Sequence, residues 1–425
     1  MLVTPMLGTL GACAAERPTG ASRDSTAAAE RAAQRAEAAS EIAAWNAIAL
    51  RTTAAGPFSP PRETRTMALV SAAVFDAVNS IDGEYEPYVA RVVARGRPSL
   101  RAAATAAAYR VLRALYPAAA AALDADFEST LARIRGGAMK EAGVAVGEAA
   151  AAAVLAARAG DHADDRVSYV PLNVPGIWAP TPPAFAPALE AAWGRVTPFV
   201  LDSGSQLRPP PPPAVGSAVY TRDLLEIAAI GASASPTRTA AQTEAARFWI
   251  STAPQLWNQL ARQLTVARDL EPAAAARVYL LLNAAGADAI IAAWDAKFSA
   301  QQWRPVTAIR RAAAEGSLTS PIDTTWAPLI TTPPFPDFPA GHTTYAGAAE
   351  VVLGALFGDR PGALRISSPS AGGATHSYQS FGEVADEVTN ARVWGGVHWR
   401  TSSTVGRALG RKVGEIVLAR AAQMR

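Results

Sequence analysis

Apolar positions recur at helical spacing through most of the chain. Ser40 is a candidate N-cap before Ile42, Trp45 and Ile48, and the next stripe runs Met67, Val70, Val74, Val78 and Ile81, with Asp76 and Asn79 at its edge. Residues 57–62 break the first of these helices. Similar stripes predict helices over 100–116, 117–133, 140–158, 218–230, 239–250, 256–267, 272–300, 342–357, 381–391 and 403–422. Residues 14–37 carry no large apolar side chain and read as a tether or a frayed helix. Between Ser168 and Pro213 the pattern stops, and twelve prolines remove backbone donors. Trp178, Phe185, Trp193 and Phe199 are interspersed there and want burial, so an ordered, extended strap is expected rather than a loose linker. A loop rich in Thr and Pro covers 319–339. Alternating strand patterns are few. The expected fold is all-α: two side-by-side helix bundles, about 40–200 and about 214–425, with a proline-rich extended strap.

Composition narrows the class. Of 425 residues, 50% are hydrophobic and 18% charged, enough for a large core and too apolar for global disorder. The net charge of +3 comes without a basic block, which argues against nucleic-acid binding. The single cysteine, Cys13, excludes an intrachain disulfide or a thiolate cluster. Leu10-Gly11-Ala12-Cys13 resembles a bacterial lipobox, which would make residues 1–39 a lipoprotein signal and flexible tether. Cys13 would then carry the lipid anchor, the sole membrane contact, on a chain exported to the cell envelope or beyond. The segment before Cys13 is short and lacks a basic n-region, so a plain tail on a cytoplasmic protein stays open. No later stretch reaches the roughly 18 uncharged apolar residues that span a bilayer.

Candidate chemistry gathers in three segments. In Trp294-Asp-Ala-Lys297-Phe-Ser-Ala-Gln-Gln-Trp-Arg304-Pro305, the two cations are seven apart and would share one helix face, with Pro305 ending or bending the helix. In Pro333-Pro-Phe335-Pro-Asp-Phe-Pro339-Ala340-Gly341-His342, a proline-stiffened loop delivers glycine to a helix start, where free N–H groups favour an oxyanion. In Arg392-Val-Trp-Gly395-Gly396-Val-His398, glycines let arginine and histidine converge. Each segment alone has an ordinary structural explanation. His162, in an acidic loop, and His376 have no partner legible in the sequence; a cation site at His162 is the lesser reading beside a solvated loop.

Together the three reproduce a spacing: Lys, six residues, Arg-Pro; Pro-x-Gly-His; Arg, five residues, His. This resembles the signature uniting vanadium-dependent haloperoxidases with type 2 phosphatidic acid phosphatases and bacterial acid phosphatases. Trp294 and Phe335 look like the aromatic positions on the halide side of chloroperoxidases in that family. Glu41-Ile-Ala-Ala-Trp-Asn46, Asp76-Ala-Val-Asn79 and Ser205-Gln-Leu-Arg-Pro-Pro-Pro extend the likeness beyond the site towards bacterial members. The resemblance implies vanadate as cofactor, with phosphate able to occupy the same site. His398 would be the axial vanadium ligand, and Lys297, Arg304, Gly341 and Arg392 would hold the oxygens. His342 would be the acid–base for hydrogen peroxide, Lys297 would polarise peroxide for halide attack, and the product would be a hypohalous acid equivalent.

Three positions depart from the pattern. Ala340 and Ala391 stand where serines are usual, and Ser402 stands where an aspartate commonly orients the histidine. Two other readings share the site: phosphomonoester hydrolysis with His398 as nucleophile, and oxyanion binding by a surface lipoprotein without turnover. The implied partners are hydrogen peroxide, a halide and, as a further candidate, an organic acceptor. A homodimer is the default assembly. Lipid phosphatases of the superfamily carry transmembrane helices, which the hydropathy pattern here does not offer.

Overall fold

The computed structural model describes residues 20–56, 59–172, 174–311 and 323–423. Cys13 and its lipobox lie outside them, as do residues 57 and 58 of the expected break and the start of the 319–339 loop. The N-terminal helices are α1 (Gly20–Ala55), α2 (Pro60–Asp82), α3 (Leu100–Leu115), α4 (Ala120–Ala132) and α5 (Ala138–Ala157). After the strap come α6 (Ala218–Ile230), α7 (Ala240–Phe248), α8 (Ala253–Ala267), α9 (Pro272–Ala300), α10 (Pro305–Arg311), α11 (Gly341–Phe357), α12 (Phe381–Trp394) and α13 (Arg400–Gln423). The fold is all-α apart from one antiparallel hairpin, β1 (Leu364–Ser368) with β2 (Ala374–Tyr378), which pairs Ile366 with His376.

α3 packs on α5 and α2, α11 packs on α13 and α9, and α2 faces α9, so the two groups share one core. α9 is long and apolar enough to cross a bilayer, but 89% of its most hydrophobic window is buried inside the protein, as befits a central core helix. α11 and α13 approach closely because Gly406 and Gly410 face it: a Cβ on Gly410 would lie 1.8 Å from the Thr344 carbonyl oxygen. That contact fixes the start of α11, where the candidate site lies.

The strap is ordered. Trp178, Trp193 and Phe199 are buried as expected, whereas Phe185 is 62% exposed. Asp288, fully buried on α9, accepts from the backbone N–H groups of Phe199, Val200 and Leu201 at 2.6–2.8 Å. Asp76 on α2 does the same for Tyr88, Val89 and Ala90 at 2.7–3.0 Å. Each carboxylate satisfies three consecutive donors that proline-broken chain cannot pair by itself. Ser40 is not a helix start: α1 runs through it from Gly20, because an alanine-rich stretch needs no apolar stripe to stay helical.

Candidate oxyanion site

α9 ends at Ala300, and Gln301 takes a left-handed conformation (φ 52°). Lys297 and Arg304 therefore do not share a helix face as the spacing predicted. Arg304 lies on the extended stretch after α9, which the strap clamps: Trp178 N–H donates to the Gln301 carbonyl (2.7 Å) and Trp303 N–H to the Gly176 carbonyl (2.9 Å). Pro305 begins α10 rather than ending α9. The cations nevertheless converge, because the loop at 333–340 folds over both. Lys297 Nζ, fully buried, donates to the carbonyls of Pro336 (3.0 Å), Asp337 (2.7 Å) and Pro339 (2.6 Å). Arg304 donates through Nε to the Phe335 carbonyl (2.8 Å) and through Nη1 to the Val397 carbonyl (2.7 Å).

Arg392 comes from the last turn of α12, with Nη1 on the Trp249 carbonyl at 2.8 Å. The chain then turns through Gly395 and Gly396. Gly396 has φ +77°, and a Cβ there would lie 2.3 Å from the Gly231 oxygen, so no other residue fits. This turn brings His398 under Arg304, whose Nη1 is 3.3 Å from Nε2. Gly341 and His342 form the first turn of α11, and Ala340 at its N-cap offers no side-chain acceptor, so the helix presents its N–H end to the cavity. His342 is half-buried, with Nε2 3.3 Å from the Ser251 carbonyl. Trp294 and Phe335 stack obliquely, centroids 4.8 Å apart, with Lys297 Nζ 5.1 Å from the Phe335 centroid. Of the eight residues singled out in the three segments, six line one cavity, and Lys297 and Arg304 lie against its Phe335 and His398.

One participant was missed. Asp337, between Pro336 and Phe338, is fully buried, its Oδ1 3.2 Å from His398 Nδ1 and its Oδ2 3.7 Å from Arg304 Nη1. It orients the ring from the 333–340 loop, while Ser402, at the position where an aspartate is common, donates its hydroxyl to the Asp337 carbonyl at 3.2 Å. The available signal was an acidic residue alone in an otherwise apolar, proline-rich loop. His376 and His162 lie apart from the cavity. The first pairs with Glu387 (2.8 Å) and stacks on Phe248, and the second pairs with Asp165 on the surface.

Lys297, Arg304 and Arg392 face a single carboxylate. Burial, with the mutual repulsion of the cations, lowers the Lys297 ammonium well below its ordinary value and brings Arg392 to about 9; burial brings Arg304 to about 10. Burial also pushes Asp337 up to about 6, against the pull of Arg304 and Lys297. His398 and His342 are held well below the usual histidine range, first by burial and then by nearby positive charge, so both rings are neutral at pH 7. Arg304 Nη2 and Arg392 Nε are buried without a hydrogen-bond partner. A buried surplus of cations with unpaired donors, beside a helix N-terminus, is what a bound oxyanion would satisfy. Because Asp337 accepts at His398 Nδ1, that nitrogen carries the proton and Nε2 keeps its lone pair for an electrophilic centre.

The fold and site together define a mostly helical protein with buried cations, unpaired donors and a neutral histidine gathered at one cavity. Residues 277–425 match the family described as VCPO second helical-bundle domain. A vanadium chloroperoxidase from Curvularia inaequalis is 28% identical over an alignment of 161 positions, which covers 32% of this chain and 26% of that protein, about a quarter of its length. The fold is similar to a bacterial vanadium-dependent iodoperoxidase (TM-score 0.79, 26% identity, 90% of this chain and 96% of the other). It is also similar to a holo bacterial vanadium-dependent chloroperoxidase (TM-score 0.72, 17% identity, 86% and 93%). Residues 277–425 thus match the vanadium chloroperoxidase family, and the fold as a whole is similar to that of bacterial vanadium-dependent haloperoxidases.

Proposed function

We propose that this protein binds vanadate and catalyses halide oxidation by hydrogen peroxide: X⁻ + H2O2 + H⁺ → HOX + H2O, with two electrons passing from halide to peroxide. The observation that carries the reading is the pair of unpaired buried donors, Arg304 Nη2 and Arg392 Nε, beside a neutral His398 whose Nδ1 is held by Asp337. Bound vanadate would supply a Lewis-acidic centre that activates peroxide. Lys297, Arg304 and Arg392 would neutralise its oxygens, Gly341 N–H would add a donor, and His398 Nε2 would be its protein ligand. His342, neutral at working pH, would accept the proton that peroxide gives up and return it as water forms. Lys297 is held by three carbonyls, so its charge is fixed in place to draw electron density from the reacting oxygen. Trp294 and Phe335 would keep water from the halide side.

The same lone pair on His398 Nε2 suits in-line attack on phosphorus, so phosphomonoester hydrolysis is the second reading. One pair of assays separates them. The haloperoxidase reading expects vanadate-dependent bromination of a phenolic dye and no release of nitrophenol from p-nitrophenyl phosphate; the reverse outcome selects the hydrolase.

A further inference from the structure

The cavity above the oxyanion site is larger and more apolar than peroxide and halide require. It encloses about 300 Å3. A water molecule's share of liquid volume is about 30 Å3, so peroxide and one halide would leave most of the space unused. The remainder is walled by Leu189 of the strap, Ile250, Pro254 at the start of α8, Ile290 of α9, Ile330 and Pro333. Pro60 and Pro61 at the start of α2 close the side facing the N-terminal helices. Among the described residues Arg392 is the one charged side chain that lines it, and it sits at the oxyanion end with His398. No carboxylate among the described residues lines the cavity, so its walls offer nothing to draw in a cationic substrate.

Two further features suit a ring-shaped guest. Five prolines and the rings of Trp294, Phe335 and Tyr345 make the walls stiff, so little ordering entropy is lost on binding. Ile250 is 46% exposed at the rim, a large apolar side chain placed where a guest would cover it.

We propose that this cavity is the binding site of an uncharged aromatic acceptor, which receives the halogen inside the protein rather than from hypohalous acid in solution. The transfer rests on the haloperoxidase reading above; the binding does not. The balanced step is ArH + X⁻ + H2O2 + H⁺ → ArX + 2 H2O. The C–H bond is replaced by C–X, the ring proton leaves to water, halide is oxidised by two electrons and peroxide is reduced. The cavity volume, about ten water shares, matches a molecule of one or two rings.

The test uses 1-naphthol, uncharged and fluorescent, with the full chain. Equilibrium binding is measured first without vanadate, for the parent protein and for Ile250→Glu and Leu189→Glu, whose folding is checked by thermal unfolding. The proposal expects saturable one-to-one binding that both rim charges weaken at least tenfold. A third variant, Ile250→Trp, fills the mouth without adding charge and is expected to weaken binding as well. In the second arm, vanadate, peroxide and bromide are added, and the ratio of 2-bromo to 4-bromo product is compared with that from free hypobromous acid. This ratio does not depend on the rate of halide oxidation. It should differ from the free-reagent ratio in the parent protein and revert to it in Ile250→Glu. Bromide oxidation without naphthol binding, or with the free-reagent ratio, overturns the proposal and leaves the haloperoxidase reading standing. Naphthol binding without any bromide oxidation overturns that reading and halogen transfer with it, and leaves the apolar binding site.

Discussion

The N-terminal helices and the C-terminal site both bury charge, but they handle it in opposite ways. In the N-terminal group, Glu41 accepts from Arg101 (3.0 Å) and Arg133 (3.5 Å), and Asp161 accepts from Arg65 (2.8 Å) and Arg158 (3.0 Å). The buried carboxylates there have their partners built into the fold. At the ends of α9, α12 and the 333–340 loop, three cations meet one carboxylate and two guanidinium nitrogens have no partner. Matched charges read as structure, because a buried ion left alone costs several kcal/mol. Unmatched charges read as a site, since that cost is removed when an anion of the right shape binds. The contrast explains why a chain of +3 net charge needs no basic surface to attract an oxyanion.

The comparison can be broken first where charges are matched. Asp161→Ala leaves Arg65 and Arg158 without their carboxylate and should cost about 3–5 kcal/mol in urea unfolding. Vanadate affinity should stay as it was; a large loss of affinity would mean the two regions are not independent.

Asp288 gives the next effect, through pH. Burial raises its folded-state value from 3.8 to about 6, against three backbone donors and Arg158. A raised carboxyl contributes stability that is full below the unfolded value and lost as pH rises through the folded one. Unfolding free energy should therefore fall by about 2 kcal/mol between pH 4 and 7 relative to Asp288→Asn, which lacks this titration. Parallel pH profiles for the two proteins would contradict it.

Removing an unmatched charge should behave differently. Arg392→Met gives up one charge-assisted contact to the anion, about 2 kcal/mol or thirtyfold in vanadate affinity by calorimetry. Its unliganded stability should not fall, since the lost cation had only the Trp249 carbonyl as partner.

Asp337 separates orientation from charge within the site. Asp337→Asn keeps an acceptor for His398 Nδ1 and should stay within a fewfold of the parent in vanadate affinity. Asp337→Ala loses the acceptor and should weaken binding about tenfold. Equal affinities for the two variants would show that the carboxylate does not position the ring.

Much of this was legible in the sequence, for reasons specific to each residue. Lys297, Arg304, Gly341, His342, Arg392 and His398 lie in three short segments, and the resemblance of their combined spacing to a family signature is what grouped them. α6 was readable at residue level because Ser217 and Gly231 punctuate its two ends, and the start of α9 because Pro272 opens it. Asp337 was hidden because its partners, His398 and Arg304, are 61 and 33 residues away in sequence, and only the fold brings them near. The break at Gln301 left no signal, since a left-handed glutamine is fixed by contacts with the strap rather than by its own preference. The β1–β2 hairpin was missed because five-residue strands half-covered by one helix show too few alternations to stand out.

The most direct measurement is a titration of metal-free protein with orthovanadate, followed by bromination of a phenolic dye in the presence of peroxide and bromide. The account predicts that bromination rises to saturation at one vanadate per chain and disappears in His398→Ala. Vanadate binding without bromination, or undiminished bromination in His398→Ala, would contradict it.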